Sequence, residues 1–164
     1  MKYIYIGKLV NTHGLKGEVR IISDFRHKQN VFKKGMKLYV GKKHEEFTIN
    51  TYRFHKIYDM VTFEGYNDIN QIEYLKGNNV YINEDDLELN GEIYSGKLLG
   101  FTVYMEDKKI GIITEIIDTK ANEVLRVNEK ILIPYVDDFI LKIDLDKKEV
   151  YVKNVGGLVW NLKY

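Results

Sequence analysis

The stretch that decides the fold is residues 2–21, which read KYIYIGKLVNTHGLKGEVRI. Ile4 and Ile6 share one face of an extended segment, and Val19 and Ile21 share one face of the next. Alternation with a period of two predicts half-buried β-strands. A glycine-bounded turn between them predicts that the chain opens with a β-hairpin.

The same alternation recurs along most of the chain. Branched and aromatic residues favour strands because they fit a pleated, half-buried surface. The further alternating segments lie near residues 36–40, 101–105, 109–117, 139–144 and 149–153. Many short strands separated by turn signals are typical of barrels or sandwiches.

One segment departs from this pattern, namely residues 68–77, DINQIEYLKG. Ile69, Ile72 and either Tyr74 or Leu75 fall on one helical face, which predicts a single short helix. Asp68 is a suitable N-cap, and the glycine at its end suits a left-handed stop.

The domain organisation follows from an acidic, polar stretch at residues 83–96, NEDDLELNGEIYSG. We predict a mainly all-β chain of two small β-barrels in tandem, with one short helix in the first. The expected boundaries are a first domain at 1–84, a linker at 85–96 and a second domain at 97–164.

Composition excludes several classes of protein. The 164 residues contain no cysteine, so disulfides, thiolate nucleophiles and thiolate zinc sites are excluded. The longest clean apolar run, residues 131–136, is far shorter than the roughly 20 residues of a membrane helix. The N-terminus has no signal-peptidase pattern, so we expect a cytoplasmic protein without membrane attachment.

Charge is unevenly distributed although the formal total is +1. Residues 1–60 hold 13 Lys and Arg against 5 Asp and Glu, whereas residues 61–90 hold 1 against 7. Residues 91–164 are close to balanced. The basic first third indicates either an anionic partner or a lysine-coated surface that maintains solubility.

Motifs for catalysis, metals and cofactors are missing from the sequence. The four histidines do not have the close spacing of a zinc motif, and the acidic pairs fit turns or surfaces. The nucleotide-binding glycine motifs and the serine-hydrolase motif do not occur. We therefore predict no catalytic residues, no metal and no cofactor.

The turn between the first two strands is the strongest candidate for binding an anion. Two glycines permit either a plain tight turn or a close approach of bare backbone to a phosphate. The candidate RNA-binding residues in and around it are Lys8, His13, Gly14, Lys16, Gly17, Arg20 and Arg26. Tyr3, Tyr5, Tyr39 and Tyr52 either stack on bases or shield the sheet.

Taken in order, the motifs resemble the RimM family of ribosome maturation factors. Residues 7–20, GKLVNTHGLKGEVR, look like the family's N-terminal signature, and residues 68–77 resemble the short helix of that domain. The second half resembles a PRC barrel. Its marks are LLGFTV at 98–103, GIITEI at 111–116, NEVLRV at 122–127, LIPYV at 132–136 and the later Gly157 and Leu158.

The entry to the second barrel departs from the family pattern. The family has a paired aromatic motif followed by Trp and an acidic residue, whereas this chain has Ile93, Ser95 and Lys97 around the one aromatic, Tyr94. Glu123 replaces the usual aspartate. If the aromatic pair grips a partner, the departure at Ile93 weakens that grip.

The resemblance implies a monomeric assembly factor without catalysis. Its implied partners are small-subunit ribosomal protein nineteen and nearby 16S rRNA in the head of the maturing 30S subunit. The implied protein-binding candidates on the second barrel are Tyr94, Pro134, Tyr135 and Val136. The alternatives are a generic RNA-binding β-barrel and an enzyme acting on RNA through residues such as His13 and Asp24.

Overall fold

The computed structural model describes residues 1–154 and, for the backbone, residues 160–161. The chain forms two compact units, Met1–Gly91 and Glu92–Tyr164. Strands dominate both units, which confirms the prediction of a mainly all-β chain with two barrel-like domains. Within the described residues, no helix is long and apolar enough to cross a membrane.

The first unit is a closed six-stranded barrel in the order β1-β2-β5-β4-β3-β6. Its strands are β1 (Tyr3–His13), β2 (Glu18–Ile22), β3 (Lys37–Val40), β4 (Glu45–His55), β5 (Tyr58–Phe63) and β6 (Asn79–Asn83). The alternating residues Ile4, Ile6, Val19 and Ile21 are all buried, as the sequence predicts. Burial of such side chains is the main contribution that favours folding of the barrel.

The second unit is a seven-stranded sheet in the order β11-β12-β7-β8-β9-β10-β13. Its strands are β7 (Thr102–Met105), β8 (Lys108–Asp118), β9 (Glu123–Val127), β10 (Ile131–Pro134), β11 (Ile140–Asp144), β12 (Glu149–Val152) and β13 (Trp160–Asn161). One core cluster, which includes Leu98, Phe101 and Ile133, fills the unit. The family marks at Gly157 and Leu158 lie outside the described residues.

The segment at 68–77 is helical as predicted, but it does not form the single helix that the sequence predicts. Two consecutive 3₁₀ helices, Ile69–Gln71 and Glu73–Leu75, occupy the segment. Asp68 caps the first of them, as predicted, because its side chain accepts a hydrogen bond from the Asn70 N–H at 2.9 Å. Further 3₁₀ helices lie at Lys28–Asn30, Glu84–Asp86 and Ser95–Leu98.

The boundary between the two units falls inside the segment predicted as a linker. The first unit ends at Gly91 and the second begins at Glu92. This segment is partly ordered by burial, since Leu89 and Ser95 are both buried. The predicted boundaries at 84 and 97 remain a prediction.

Candidate nucleic-acid interface

The outer surface of the β1–β2 hairpin carries three of the predicted anion-binding side chains. Lys8 and His13 are separated by an odd number of positions, so strict alternation would point them to opposite sides of β1. A bulge between Leu9 and Asn11 shifts the register by one residue and brings both to the outside. Arg20 is paired with Asn11 and lies on that same side.

Strand β4 adds two basic side chains that the sequence reasoning missed. Arg20 is opposite Met60 on β5, and Met60 is opposite Arg53 on β4. Directly paired residues point to the same side of a sheet, so Arg20 and Arg53 share the outer surface. His55, two residues after Arg53 and paired with Tyr58, lies there as well. We define the basic face as Lys8, His13, Arg20, Arg53 and His55.

Arg20 lies at the centre of the basic face. Its Nη2 is 2.6 Å from Nδ1 of His13, and its guanidinium lies 5.3 Å from the centroid of the Tyr58 ring. Because a guanidinium only donates, Nδ1 of His13 is the acceptor in this contact. The Nε of Arg20 is buried and has no hydrogen-bond partner among the described residues.

A carboxylate within the basic face is neutralised locally. Arg53 donates two hydrogen bonds to Glu18, from Nε to Oε2 at 2.9 Å and from Nη2 to Oε1 at 2.8 Å. These hydrogen bonds are the largest cause that lowers the pKa of Glu18. Partial burial of the carboxylate opposes this shift, whereas the positive charge of Arg53 and the weaker effects of His13 and His55 lower the pKa further. The face therefore presents little net negative charge to a partner.

The two glycines of the β1–β2 turn, Gly14 and Gly17, have different roles. Gly17 has a φ of +89°, and a Cβ built on it would lie 2.8 Å from the backbone oxygen of Tyr66. Its bare backbone thus approaches the protein's own chain, which gives Gly17 a structural reason to be glycine. Gly14 has a φ of +69° and open space around it, and Lys16 is exposed beside it. Within this turn, the sites open to a phosphate are Gly14 and Lys16.

The loop after β2 contains the half-buried Arg26. It also contains Lys28, which forms an ion pair with a buried carboxylate. Nζ of Lys28 lies 2.7 Å from Oδ2 of Asp59, whose side chain is fully buried. Tyr52 donates a hydrogen bond to Oδ1 of Asp59 at 2.7 Å. Burial and this hydrogen bond raise the pKa of Tyr52. The ring of Tyr52 is stacked on Phe32 with centroids 5.9 Å apart, so this partly exposed tyrosine already has partners within the first unit.

The remaining candidate stacking tyrosines form an aromatic cluster on β1, β3 and β6. Tyr3 stacks on His44 with ring centroids 3.8 Å apart and meets Tyr39 edge-on at 5.1 Å. Tyr5 packs edge-on against Tyr81 at 6.0 Å and remains exposed. For Tyr3 and Tyr39 these contacts favour the shielding interpretation over base stacking.

In the second unit, Tyr135 connects the segment that enters the unit, residues 92–100 (the entry segment), to the sheet by hydrogen bonds. Its hydroxyl donates to the main-chain carbonyl of Ile93 at 2.7 Å, and its own N–H donates to that of Glu123 at 2.8 Å. Burial is the main cause that raises the pKa of Tyr135 to about 12, with the charge of Glu123 adding to it. Pro134 precedes it as the end of β10. The carbonyl of Val136 accepts hydrogen bonds from the two N–H groups at 139 and 140.

The family departures at the entry segment are accommodated within this unit. Ile93 packs against the core cluster, and the buried hydroxyl of Ser95 donates to the carboxylate of Glu123. The ring of Tyr94 occupies the space in which a Cβ on Gly96 would lie. These contacts give Ile93, Ser95 and Glu123 roles inside the fold.

Neither a metal centre nor an acid–base pair emerges from the described residues. They contain no group of three or more His, Asp or Glu side chains that could hold a metal ion. His13, which an enzyme would need beside Asp24, is instead hydrogen-bonded to Arg20. The arrangement suits binding of a polyanion through side chains on one face of a closed barrel.

Comparisons with known proteins cover nearly the whole chain. Residues 4–87 match the RimM N-terminal domain, and residues 96–158 match the RimM PRC barrel domain. The ribosome maturation factor RimM of Geobacillus kaustophilus is 37% identical over 96% of this chain and 97% of its own. That of Ligilactobacillus salivarius is 39% identical over 96% and 99%. The solution structure of the N-terminal domain of RimM from Thermus thermophilus has a TM-score of 0.47 at 22% identity, covering 54% of this chain and 98% of that one.

Proposed function

The chain belongs to the RimM family of ribosome maturation factors, and from this membership we propose that it binds the head of the maturing 30S subunit. There it promotes assembly of the head and processing of 16S rRNA, in the cytoplasm and as a monomer. It acts without catalysis, by stabilising one conformation of the head. A ligand shifts such an equilibrium only by its differential affinity for the two states, so the binding is transient and selective for the immature particle.

The first domain contacts 16S rRNA through the basic face. The observation that carries this proposal is the gathering of Lys8, Arg20 and Arg53 on one outer surface of four adjacent strands. Lys16 and Arg26 extend the contact at its two ends. Contacts of this kind go to phosphates, which position the protein and do not read sequence.

The second domain contacts small-subunit ribosomal protein nineteen. The proposed surface is the one around Tyr94, Pro134, Tyr135 and Val136, which the resemblance implies. The hydroxyl of Tyr135 is already used within the unit, so its part is to hold the entry segment in place. The exposed part of this surface then supplies the contact.

Salt dependence tests the rRNA contact. If three to five phosphates are neutralised, log K for the immature subunit falls with log[salt] at a slope of roughly −2 to −4. The double variant Lys16→Ala with Arg20→Ala weakens binding and makes the slope shallower by roughly 1 to 2. Lys147→Ala, on an exposed turn of the second unit, is the matched control and leaves both unchanged. A flat salt response of the wild-type protein contradicts the proposed contact.

A pull-down with this protein as bait tests the partners. Precursor small subunits containing protein nineteen are expected among the captured particles, in preference to mature subunits. Capture of naked RNA with equal strength would instead favour a generic RNA-binding barrel, the alternative that the same basic face supports. Absence of both the particles and protein nineteen contradicts the proposal.

A further inference from the structure

The β4–β5 hairpin ends in an exposed apolar tip that the proposed contacts do not use. His55 is paired with Tyr58, so the strands are joined by the two residues Lys56 and Ile57. Two-residue hairpin turns favour Gly and Asn where φ is positive, yet Lys56 occupies such a position with a φ of +59°. The side chain of Ile57 is 66% exposed and that of Phe54 is 57% exposed. Two large apolar side chains exposed on one hairpin tip make this tip a candidate for contact with a partner.

The electrostatic setting of this tip is cationic. Arg53 and His55 flank Phe54, and Lys56 follows them. Nζ of Lys28 lies 5.0 Å from the centroid of the Phe54 ring, a cation–π contact. Phe54 is paired with Asp59 and points to the opposite side of the hairpin from Arg53 and His55, which lie on the basic face. Lys28 is therefore the cation that contacts the ring, and Lys56 adds a positive charge at the turn.

The carboxylates nearest the tip are already neutralised. Glu18 accepts both hydrogen bonds of Arg53, and Asp59 is buried against Lys28. A polyanion approaching the tip therefore meets positive charge and apolar surface without an exposed opposing carboxylate from these residues. This combination favours RNA over an apolar peptide, because interleaved cations and aromatic rings suit phosphates and bases together.

We propose that Phe54, Lys56 and Ile57 at this tip bind unpaired nucleotides of rRNA, with Phe54 and Ile57 packing against bases and Lys56 contacting phosphate. The inference rests on the proposed function, since it takes rRNA as the partner. It adds a second component to the interface. The basic face and Lys56 contribute binding that salt weakens, whereas Phe54 and Ile57 contribute apolar contact that salt leaves nearly unchanged.

The two components are separable by measuring affinity at several salt concentrations. Phe54→Ser and Ile57→Ser, made singly in the full chain, weaken binding to a protein-free transcript of the 16S head domain. The expected loss for Phe54→Ser is about 5- to 150-fold, the range for one base–aromatic stack. The slope of log K against log[salt] stays that of the wild-type protein, because no phosphate contact is lost.

The matched control is Leu141→Ser. Leu141 is 65% exposed on β11 of the second unit, so the change removes a similar exposed apolar side chain away from the tip. Affinity for the transcript is expected to be unchanged. Circular dichroism and thermal unfolding of all variants verify that the first domain is folded.

A fluorescence reporter tests stacking directly. The chain has a single tryptophan, Trp160, so Phe54→Trp combined with Trp160→Phe places the only indole at the tip. Saturating transcript is expected to quench its emission, since the indole stacks on a base. Unchanged emission at saturation overturns the assignment of a base contact to Phe54.

The outcomes distinguish this inference from the proposed function. Wild-type affinity in both serine variants overturns the tip alone and leaves the basic face standing. Loss of affinity only on particles containing ribosomal proteins, and not on the transcript, also overturns it and assigns the tip to a protein partner. No wild-type binding to the transcript or to immature subunits overturns the proposed function and the inference together.

Discussion

Replacing Lys28 with alanine would leave the buried carboxylate of Asp59 without its counter-ion. In the folded protein Nζ of Lys28 lies 2.7 Å from Oδ2 of Asp59, and the Asp59 side chain has no solvent exposure. Breaking a buried pair by removing one partner costs about 3–5 kcal/mol. Because Lys28 is itself 30% exposed, water can reach the vacated site, and we expect about 3 kcal/mol.

The cost is measurable by urea denaturation of the full chain followed by circular dichroism. Lys28→Ala lowers the midpoint of the transition that belongs to the first unit, with an unchanged m-value. In thermal unfolding the same loss lowers Tm by roughly 12–24 °C for a unit of this size. Lys43→Ala, an exposed lysine in the β3–β4 turn, is the control and changes stability by less than about 0.5 kcal/mol.

A compensating variant separates loss of the pair from loss of packing. Lys28→Met, Asp59→Leu and Tyr52→Phe together remove both charges and the hydroxyl that donates to Asp59. Replacement of a whole buried ion pair by apolar side chains is often nearly neutral, so this variant recovers most of the lost stability. A cost below about 1 kcal/mol for Lys28→Ala, or a triple variant no more stable than the single one, would refute the reasoning.

Three further outcomes follow from the structure. Gly17→Ala should destabilise the first unit by more than Gly14→Ala does. Both positions have a positive φ, which costs alanine about 1–2 kcal/mol, but only a Cβ at Gly17 lies as close as 2.8 Å to backbone. A lower urea midpoint for Gly14→Ala than for Gly17→Ala would contradict the structural role given to Gly17. Arg53→Gln should raise the pKa of Glu18 in an NMR titration. Because the pKa of Glu18 is lowered in the folded protein, the stability that this pair contributes is present above the unfolded pKa of about 4.3 and is lost as the pH falls through the folded pKa. The stabilities of the wild-type protein and of Arg53→Gln should therefore converge in acid. Tyr135→Phe should cost the second unit about 0.5–1.5 kcal/mol and speed amide exchange in the entry segment, and unchanged exchange there would show that its hydrogen bond is not what anchors that segment.

The strands were predictable because their period of two appears directly in the sequence. Ile4, Ile6, Val19 and Ile21 are all buried as expected. For the helical segment at 68–77, the N-cap was predictable from the sequence, whereas its division into two 3₁₀ helices was not predicted. Its N-cap is formed as predicted, but isolated short α-helices are unfavourable to nucleate.

The 3₁₀ form of that segment has a signal in the sequence. Ile69, Ile72 and Leu75 are spaced by three residues, which aligns them on one side of a helix with three residues per turn. Ile72 and Leu75 are buried, and the hydrogen bonds from Ile72 to Ile69 and from Leu75 to Ile72 are of the i to i+3 kind. The exact spacing of three residues therefore predicts the 3₁₀ geometry of this segment better than the 3.6-residue period of an α-helix does.

The candidate interface was only partly predictable. The cluster around the β1–β2 turn is local in sequence, and Lys8, His13 and Arg20 do share a surface. Arg53 and His55 reach that surface through pairing of β4 with β5 and of β5 with β2. Non-local registers of this kind are not encoded in local patterns. The bulge that turns Lys8 and His13 to one side is invisible to strict alternation for the same reason.

The closed ring of the first unit also constrains when it can form during synthesis. β6, at residues 79–83, pairs with both β1 and β3, and it is the last of the six strands to be made. At 5–20 residues per second, roughly 4–14 s separate the synthesis of the last residue of β1 from that of the last residue of β6. During that interval the side of β1 that will face β6 is an open edge, available to any other strand. The barrel therefore closes only after β6 has been synthesised, and until then this edge of β1 has no partner strand from its own barrel.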